Sequence, residues 1–179
     1  MSDQKLIKKY LEGDEGALEE LLRNNLQNIF WACFRVCLDE SDAHDITQNV
    51  CLKIIKNLPK FQFKSEFKTW AYRISYNESI TYIKKKRWYI EISEVENFIP
   101  DDTEYYHWLD TKKKTQDITN EINKLPLIDR NILLYYYYDE LKIKEISKIM
   151  NINENSIKTR LSRAKKKLKP NLEQYENNN

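Results

Sequence analysis

Glycine is nearly absent from this chain: Gly13 and Gly16 are the two it has, both near the N-terminus. A loop that cradles phosphate needs glycine, so neither a Walker nor a dinucleotide-binding fingerprint exists. Histidine is as scarce, with two residues. There is no Gly-x-Ser-x-Gly elbow and no His-Glu-x-x-His pair, so nothing organises nucleophilic or zinc-dependent hydrolysis. No window approaches about 18 consecutive apolar residues, and the N-terminus is polar without a hydrophobic leader. The chain is expected to be soluble, cytoplasmic and free of membrane insertion, with no enzymatic activity and no cofactor.

Cysteine is present in an odd number: Cys33, Cys37 and Cys51. Cys33 and Cys37 stand at i, i+4, with His44 and Cys51 nearby in sequence. That spacing is not one of the common zinc motifs, and cysteine is often buried simply as a small hydrophobe. Neither sign of charge prevails. Charged residues make up 32% of the chain, yet 30 basic against 28 acidic leaves a net charge of +2. Any binding to nucleic acid must come from charge segregated along the chain.

What is present is helical patterning. Apolar residues recur at helical spacing over about Gln4–Tyr10 and Asp14–Cys37, interrupted at Glu12-Gly13. Ser41 is placed to cap a helix in which Ile46, Val50, Ile54 and Leu58 line one face, and Pro59 to stop it. After the loop Phe61-Gln-Phe-Lys-Ser-Glu66, a further helix runs from Phe67 to about Trp88. From Tyr89 to Tyr106 the segment carries six carboxylates, no lysine or arginine, and Pro100, which reads as an acidic linker. Helical patterning resumes near Lys112 and continues to Leu168. The expected architecture is all-α: a domain over 1–88, a linker over 89–111 and a second domain over 112–179.

The second domain ends in a cationic helix. Ile157, Leu161, Ala164 and Leu168 share one face, and the opposite face carries Ser162, Lys166, Thr159 and Arg163, with Lys158 at its edge. Asn153 can cap this helix. Upstream, Ile143, Ile146, Ile149 and Met150 form a second apolar stripe. The three residues Asn151-Ile152-Asn153 between them have the length of a helix-turn-helix turn, and Asn151 tolerates the left-handed conformation such a turn needs. A packed stripe backed by small hydroxyls and long cations suits a surface pressed against DNA.

Leu125-Pro126, Arg130, Glu145-Ile146, Ile152 and Asn155-Ser-Ile-Lys-Thr-Arg-Leu-Ser-Arg-Ala164 resemble the C-terminal domain of bacterial extracytoplasmic-function sigma factors. The first domain matches independently. Asp42-Ala-His-Asp45, Gln48 and Val50 resemble the helix that grips the polymerase clamp. Ser65-Glu-Phe-Lys-Thr-Trp-Ala-Tyr-Arg-Ile74, with Asn77, resembles the segment that melts and reads the minus-ten element. The resemblance implies a dissociable subunit whose partners are core RNA polymerase and promoter DNA, double-stranded and melted. It assigns Ser156, Lys158, Thr159, Ser162, Arg163 and Lys166 to the minus-thirty-five element. Phe61, Lys64, Ser65, Arg73 and Asn77 fall to the minus-ten element, and Asp45, Gln48 and Asn49 to the polymerase. Many relatives are held by an anti-sigma factor, and no residue here identifies one.

The chain departs from the family pattern at several points. Glu140 stands where glycine is usual, and Lys142 where a serine cap is usual. Phe63-Lys64 replaces a polar, often glycine-containing loop centre, and Thr81 replaces an aspartate. Phe67, Trp70, Ala71 and Ile74 are expected in the core. The interleaved Lys68, Tyr72, Arg73, Tyr76, Asn77, Tyr82, Lys84–Arg87 and Trp88 read as cations and stacking aromatics for unpaired DNA. Asn77 could instead cap or bridge helices, and the linker could be a nucleic-acid mimic or a solvated tether. Of the run Tyr135–Tyr138, some members should be core and others surface. Two other classes remain: a stand-alone helix-turn-helix regulator, which would bind a palindrome as a dimer, and a DNA-processing enzyme, which would need clustered carboxylates on a scaffold.

Overall fold

The computed structural model describes residues 1–92, 122 and 124–177, with side chains for 1–86, 122 and 124–168. The expected linker from residue 93 onward, the start of the second domain, and the side chains of Arg87 and Trp88 lie outside the described residues. Among the described residues every regular element is helical, as the sequence patterning requires. The chain divides into two compact units.

The first unit is built from α1 (Asp3–Leu11), α2 (Glu15–Cys37), α3 (Glu40–Asn57), a 3-10 turn (Leu58–Lys60) and α4 (Phe67–Ile92). The break at Glu12-Gly13 is real: Gly13 sits at φ 103, and Asp14 then caps α2 by accepting from the Ala17 N–H at 3.2 Å. Ser41 is not the cap of α3. That role falls to Asp39, whose side chain accepts from the Asp42 N–H at 2.8 Å, so the helix starts earlier and Ser41 lies within its first turn. Pro59 does end α3, seated in the 3-10 turn, where its missing N–H costs nothing. Helix α4 runs to Ile92, past the expected end near Trp88.

α2, α3 and α4 pack on one another, and α1 closes over α2. The core they share includes Leu6, Leu21, Ile29, Cys33 and the whole stripe Ile46, Val50, Ile54 and Leu58. Phe67 and Ala71 join it from α4, with Trp70 and Ile74 packed half-buried at its edge. The cysteines belong to this packing: burial pushes the Cys33 thiol up to about 11 and Cys37 to about 12. Both stay protonated at neutral pH, and Cys37 donates to the Asp39 carbonyl at 3.4 Å. One polar tie crosses from α3 to α4. The half-buried Asp42 carboxylate accepts from the Tyr82 hydroxyl at 2.8 Å and from the Lys86 ammonium.

The second unit contains α5 (Leu127–Tyr137), α6 (Ile143–Met150) and α7 (Glu154–Asn177). Ile146, Ile149 and Met150 of α6 and Ile157, Leu161, Ala164 and Leu168 of α7 are all buried, as their spacing predicts. They close on Ile132, Leu133 and Tyr135 of α5. The tyrosine run divides as a helix must divide it: Tyr135 is fully buried, whereas Tyr137 and Tyr138 are exposed. The Asp129 carboxylate of α5 accepts from Arg160 of α7 at 2.8 Å.

Among the described residues, four other than glycine take left-handed φ: Leu38 (58°), Phe63 (55°), Glu140 (56°) and Asn151 (54°). Asn151 is the expected helix-turn-helix residue, and its N–H is spent on the Ser147 carbonyl. Glu140 holds the bend between α5 and α6: the Leu141 N–H reaches back past it to the Tyr135 carbonyl at 2.9 Å. Lys142, which has no acceptor to offer as a cap, leaves α6 started by Glu145, whose carboxylate accepts from the Lys142 N–H at 2.9 Å.

Two outcomes follow. A left-handed non-glycine residue costs about 1–2 kcal/mol, and glycine's extra freedom in the unfolded chain cancels about half of any relief. Glu140→Gly should therefore raise stability by about 0.5–1 kcal/mol in urea titration; a loss would show that the glutamate side chain stabilises the bend. The second concerns Asp42. Its hydrogen bond pushes the Tyr82 phenol up to about 12. Lys86 is also held above its ordinary value: burial alone would lower it, and Asp42 outweighs burial. Both groups hold protons more tightly folded than unfolded, so this stabilisation is complete below about pH 10 and fades above it. Asp42→Asn should melt below wild type near pH 8, with the gap narrowing as pH rises past about 10.

Candidate polymerase and promoter interfaces

Helix α3 has two faces. One is the core stripe; the other carries Asp45, Gln48 and Asn49, all exposed as their spacing predicts. Leu52 continues that face at i+7 from Asp45 and is 65% exposed, an apolar side chain in the middle of a polar surface. The sequence reading passed over it, although a leucine that falls off the core stripe was the available signal. Asp42, quoted with Asp45 as part of one motif, points the other way, into α4. The two aspartates therefore differ in kind: one ties helices together and the other faces outward.

The α4 surface differs from the one its sequence suggests. Tyr72 is 1% exposed and Tyr76 7%, so neither can stack on a base. They lie on the core side of α4, and Tyr82 is turned to Asp42. Lys86 is also committed to Asp42, while Lys84 and Lys85 are exposed. Arg73 and Asn77 are exposed on α4. The Asn77 carbonyl accepts from the Thr81 hydroxyl at 2.8 Å, so threonine's hydroxyl is bound to its own helix where the family pattern has an aspartate.

The aromatic surface lies instead in the loop before α4. Phe61 packs between Phe63 and Trp70, with ring centroids 5.0 Å away in each case, and Phe63 is 37% exposed at its left-handed position. Beside them opens a cleft of about 450 Å³. Phe61, Phe63, Ser65 and Glu66 form its loop wall, and Phe67 and Lys68 its floor at the start of α4. The N-terminus of α1 supplies the opposite wall, through Ser2, Asp3, Gln4 and Ile7. Phe61 and Ser65 of the expected minus-ten set thus meet in one site. Lys64 is exposed but does not line it, and Asn77 lies roughly 15 Å further along α4 at 1.5 Å per residue. Nothing in the sequence pointed to α1 as a wall, because packing of α1 on the loop is a tertiary contact.

In the second unit the structure sorts the cations of α7, which sequence could not. Arg160 is turned inward to Asp129. Lys165 lies over the rings of Tyr136 and Tyr137, at 5.6 and 5.0 Å, and its hydrogen bond to Tyr137 holds its pKa above the ordinary value. Lys158, Ser162, Arg163 and Lys166 remain exposed on the expected face. Thr159 joins them, with its hydroxyl proton given to the Asn155 carbonyl at 2.9 Å, so toward a base it presents acceptors and a methyl group. Asn153 caps the helix as predicted, accepting from the Ser156 N–H at 2.8 Å. Ser156 is half-buried in that first turn. Helix α6, the turn at Asn151 and α7 thus make a helix-turn-helix whose second helix presents hydroxyls and cations to the outside.

These two units define a modular DNA-binding transcription protein. Residues 21–89 match the family model for sigma-70 region 2, and residues 115–168 that for sigma-70 region 4. The chain is 31% identical to the RNA polymerase sigma factor SigZ of Bacillus subtilis over 75% of each chain. It is 28% identical to the ECF RNA polymerase sigma factor SigW of the same organism, covering 96% of this chain and 97% of the other. Among solved structures, the sigma factor RpoE of Bartonella quintana in complex with the anti-sigma factor NepR is similar. Its TM-score is 0.70 at 20% identity, covering 87% of this chain and 96% of that one. The chain belongs to the sigma-70 family, among its extracytoplasmic-function members, and is a promoter-recognising sigma factor of RNA polymerase. No helix among the described residues is long and apolar enough to cross a membrane.

The two arginines of α7 give a contrast that a family pattern alone does not. Arg160→Ala removes a partly exposed ion pair and strands Asp129, so it should lower the stability of the second unit measurably. Arg163→Ala should leave stability unchanged, cost about 1–3 kcal/mol in binding and relax selectivity at one upstream base pair. Thermal unfolding beside selection from a randomised upstream element reads both. Reversed outcomes would mean that Arg160 is the base-reading residue.

Proposed function

We propose that this sigma factor acts through three separate surfaces. The α3 face of Asp45, Gln48, Asn49 and Leu52 docks on the polymerase clamp. The α7 face of Lys158, Thr159, Ser162, Arg163 and Lys166 reads the upstream promoter element. The cleft beside Phe61 and Phe63 captures an unpaired base of the downstream element, and Arg73 and Asn77, further along α4, meet the strand beyond it. The domain boundaries at 88 and 112 and the tether between them belong to the same reading. So does action in the cytoplasm, where polymerase works, without catalysis by the chain itself. A silencing partner such as an anti-sigma factor would have to cover the α3 or the α7 face.

The observation that carries this reading is the exposed Leu52 among polar residues on a helix that already has a complete core face. Hiding such a side chain on a partner gains about 1.5–3 kcal/mol, which its own domain does not collect. Around it, carboxylate and amide groups can make charge-assisted bonds that set orientation. Capture of a base by the cleft needs no ATP, since stacking of about 1–3 kcal/mol per base is comparable to the cost of unstacking one.

Leu52→Ala should keep its thermal midpoint, being exposed, and weaken core-polymerase binding about five- to thirtyfold. Asp45→Arg combined with Gln48→Ala should abolish binding and promoter-dependent transcription while circular dichroism stays that of the wild type. Wild-type affinity in both variants would move the docking surface elsewhere. Binding of the protein alone to a palindrome as a dimer, with no affinity for core polymerase, would favour a stand-alone regulator.

A further inference from the structure

The cleft has a chemistry at odds with its surroundings. A nucleic-acid-binding surface gains from cations, yet this cleft sets two carboxylates, Asp3 and Glu66, against one ammonium, Lys68. The balance of the lining is negative, which favours an uncharged group over a phosphate there. The apolar part, Phe61 and Phe63, suits a flat uncharged ring, and a volume of about 450 Å³ is that of a small-molecule site rather than of a groove for a strand. Such a lining suits an uncharged base better than its phosphate.

The Asp3 carboxylate is positioned before any ligand arrives. One of its oxygens accepts from the Asn25 side-chain amide at 3.1 Å, and that buried amide also donates to the Leu21 carbonyl at 2.9 Å. Asp3 is thereby fixed to α2, with acceptor capacity left over toward the cleft. An ionised carboxylate only accepts hydrogen bonds. It is satisfied by an exocyclic amino group and repelled by a carbonyl oxygen.

Resting on the reading of this cleft as the base-capturing site, we propose that Asp3 and Glu66 make it selective for an unpaired base that carries an exocyclic amino group. Cytosine, adenine and guanine qualify. Thymine, with two carbonyl oxygens on the edge that would face the carboxylates and a single N–H, does not. The N-terminal helix is then a specificity element for the downstream promoter sequence, and not only a lid on the core.

The test uses the full chain assembled with core polymerase and fork-junction DNA with a single-stranded non-template downstream element. Each single-stranded position carries in turn cytosine, adenine, guanine, thymine, or a cytosine or adenine analogue lacking the amino group. At one position an amino-bearing base should bind about five- to hundredfold more tightly than thymine or its own deaminated analogue. Asp3→Asn and Glu66→Gln, which keep shape and can still accept from Asn25 or solvent, should shrink that ratio several-fold at that position alone. A preference for thymine there, equal binding of the analogue lacking the amino group, or a ratio unchanged in both variants overturns the proposal while leaving base capture standing. Loss of base preference in Phe63→Ser, with folding retained, would still place the base in this cleft in that case. No base preference at any position, in wild type and Phe63→Ser alike, overturns both the proposal and the base-capture reading beneath it.

Discussion

The structure depends on a constraint of backbone stereochemistry. Among the described residues, every reversal that calls for a left-handed residue, save the one at Gly13, is made by a residue with a side chain, because the chain has almost no glycine. Leu38 turns α2 into α3 and so sets the face that α3 offers. Phe63 bends the loop before α4 and leaves its own ring at the mouth of the cleft. Glu140 sets the bend between α5 and α6, and Asn151 that of the helix-turn-helix. Each such residue costs on the order of a kcal/mol, and each is held by what surrounds it. Phe63 shows the return on that strain: glycine would make the bend more easily but would leave no ring beside Phe61.

A second theme is how a nearly neutral protein builds surfaces for an anion. The structure pairs some of its cations inside each unit. Asp42 holds Lys86, Asp129 holds Arg160, and the tyrosines of α5 hold Lys165. Those that remain on the α7 face stand opposite the core stripe, since one stripe faces the core and the helix repeat puts its reverse toward solvent. The paired cations give position: Arg160 anchors α7 to α5, so that Arg163, nearly one turn later, presents its fork from a fixed platform. The Asp42 tie does the same between α3 and α4, the helix that leads from the cleft. Paired and outward-facing side chains of the same type thus stand a few residues apart.

Much of this was legible from order alone. Helical spacing marked the α3 stripe, the α6 and α7 stripes and the outward face of α7, because periodicity of apolar residues reports directly which side must be buried. Glu12-Gly13, Pro59, Asn151 and Asn153 acted through local backbone chemistry and were readable for that reason. What only the tertiary structure decided was which of two chemically identical side chains meets a neighbour. Arg160 differs from Arg163, and Asp42 from Asp45, only by a partner distant in sequence. Tyr72 and Tyr76 read as stacking platforms because aromatics beside cations look alike whether wet or buried; their burial in the folded chain settled the matter. The cleft was likewise invisible, since its walls come from α1 and from a loop some sixty residues later, and no local pattern encodes the approach of two such segments. Sequence determined the elements and their inner faces, which are short-range consequences of solvent and hydrogen bonding. The closing of elements on one another, which is a balance of many distant contacts, decided which residues were left to recognise anything.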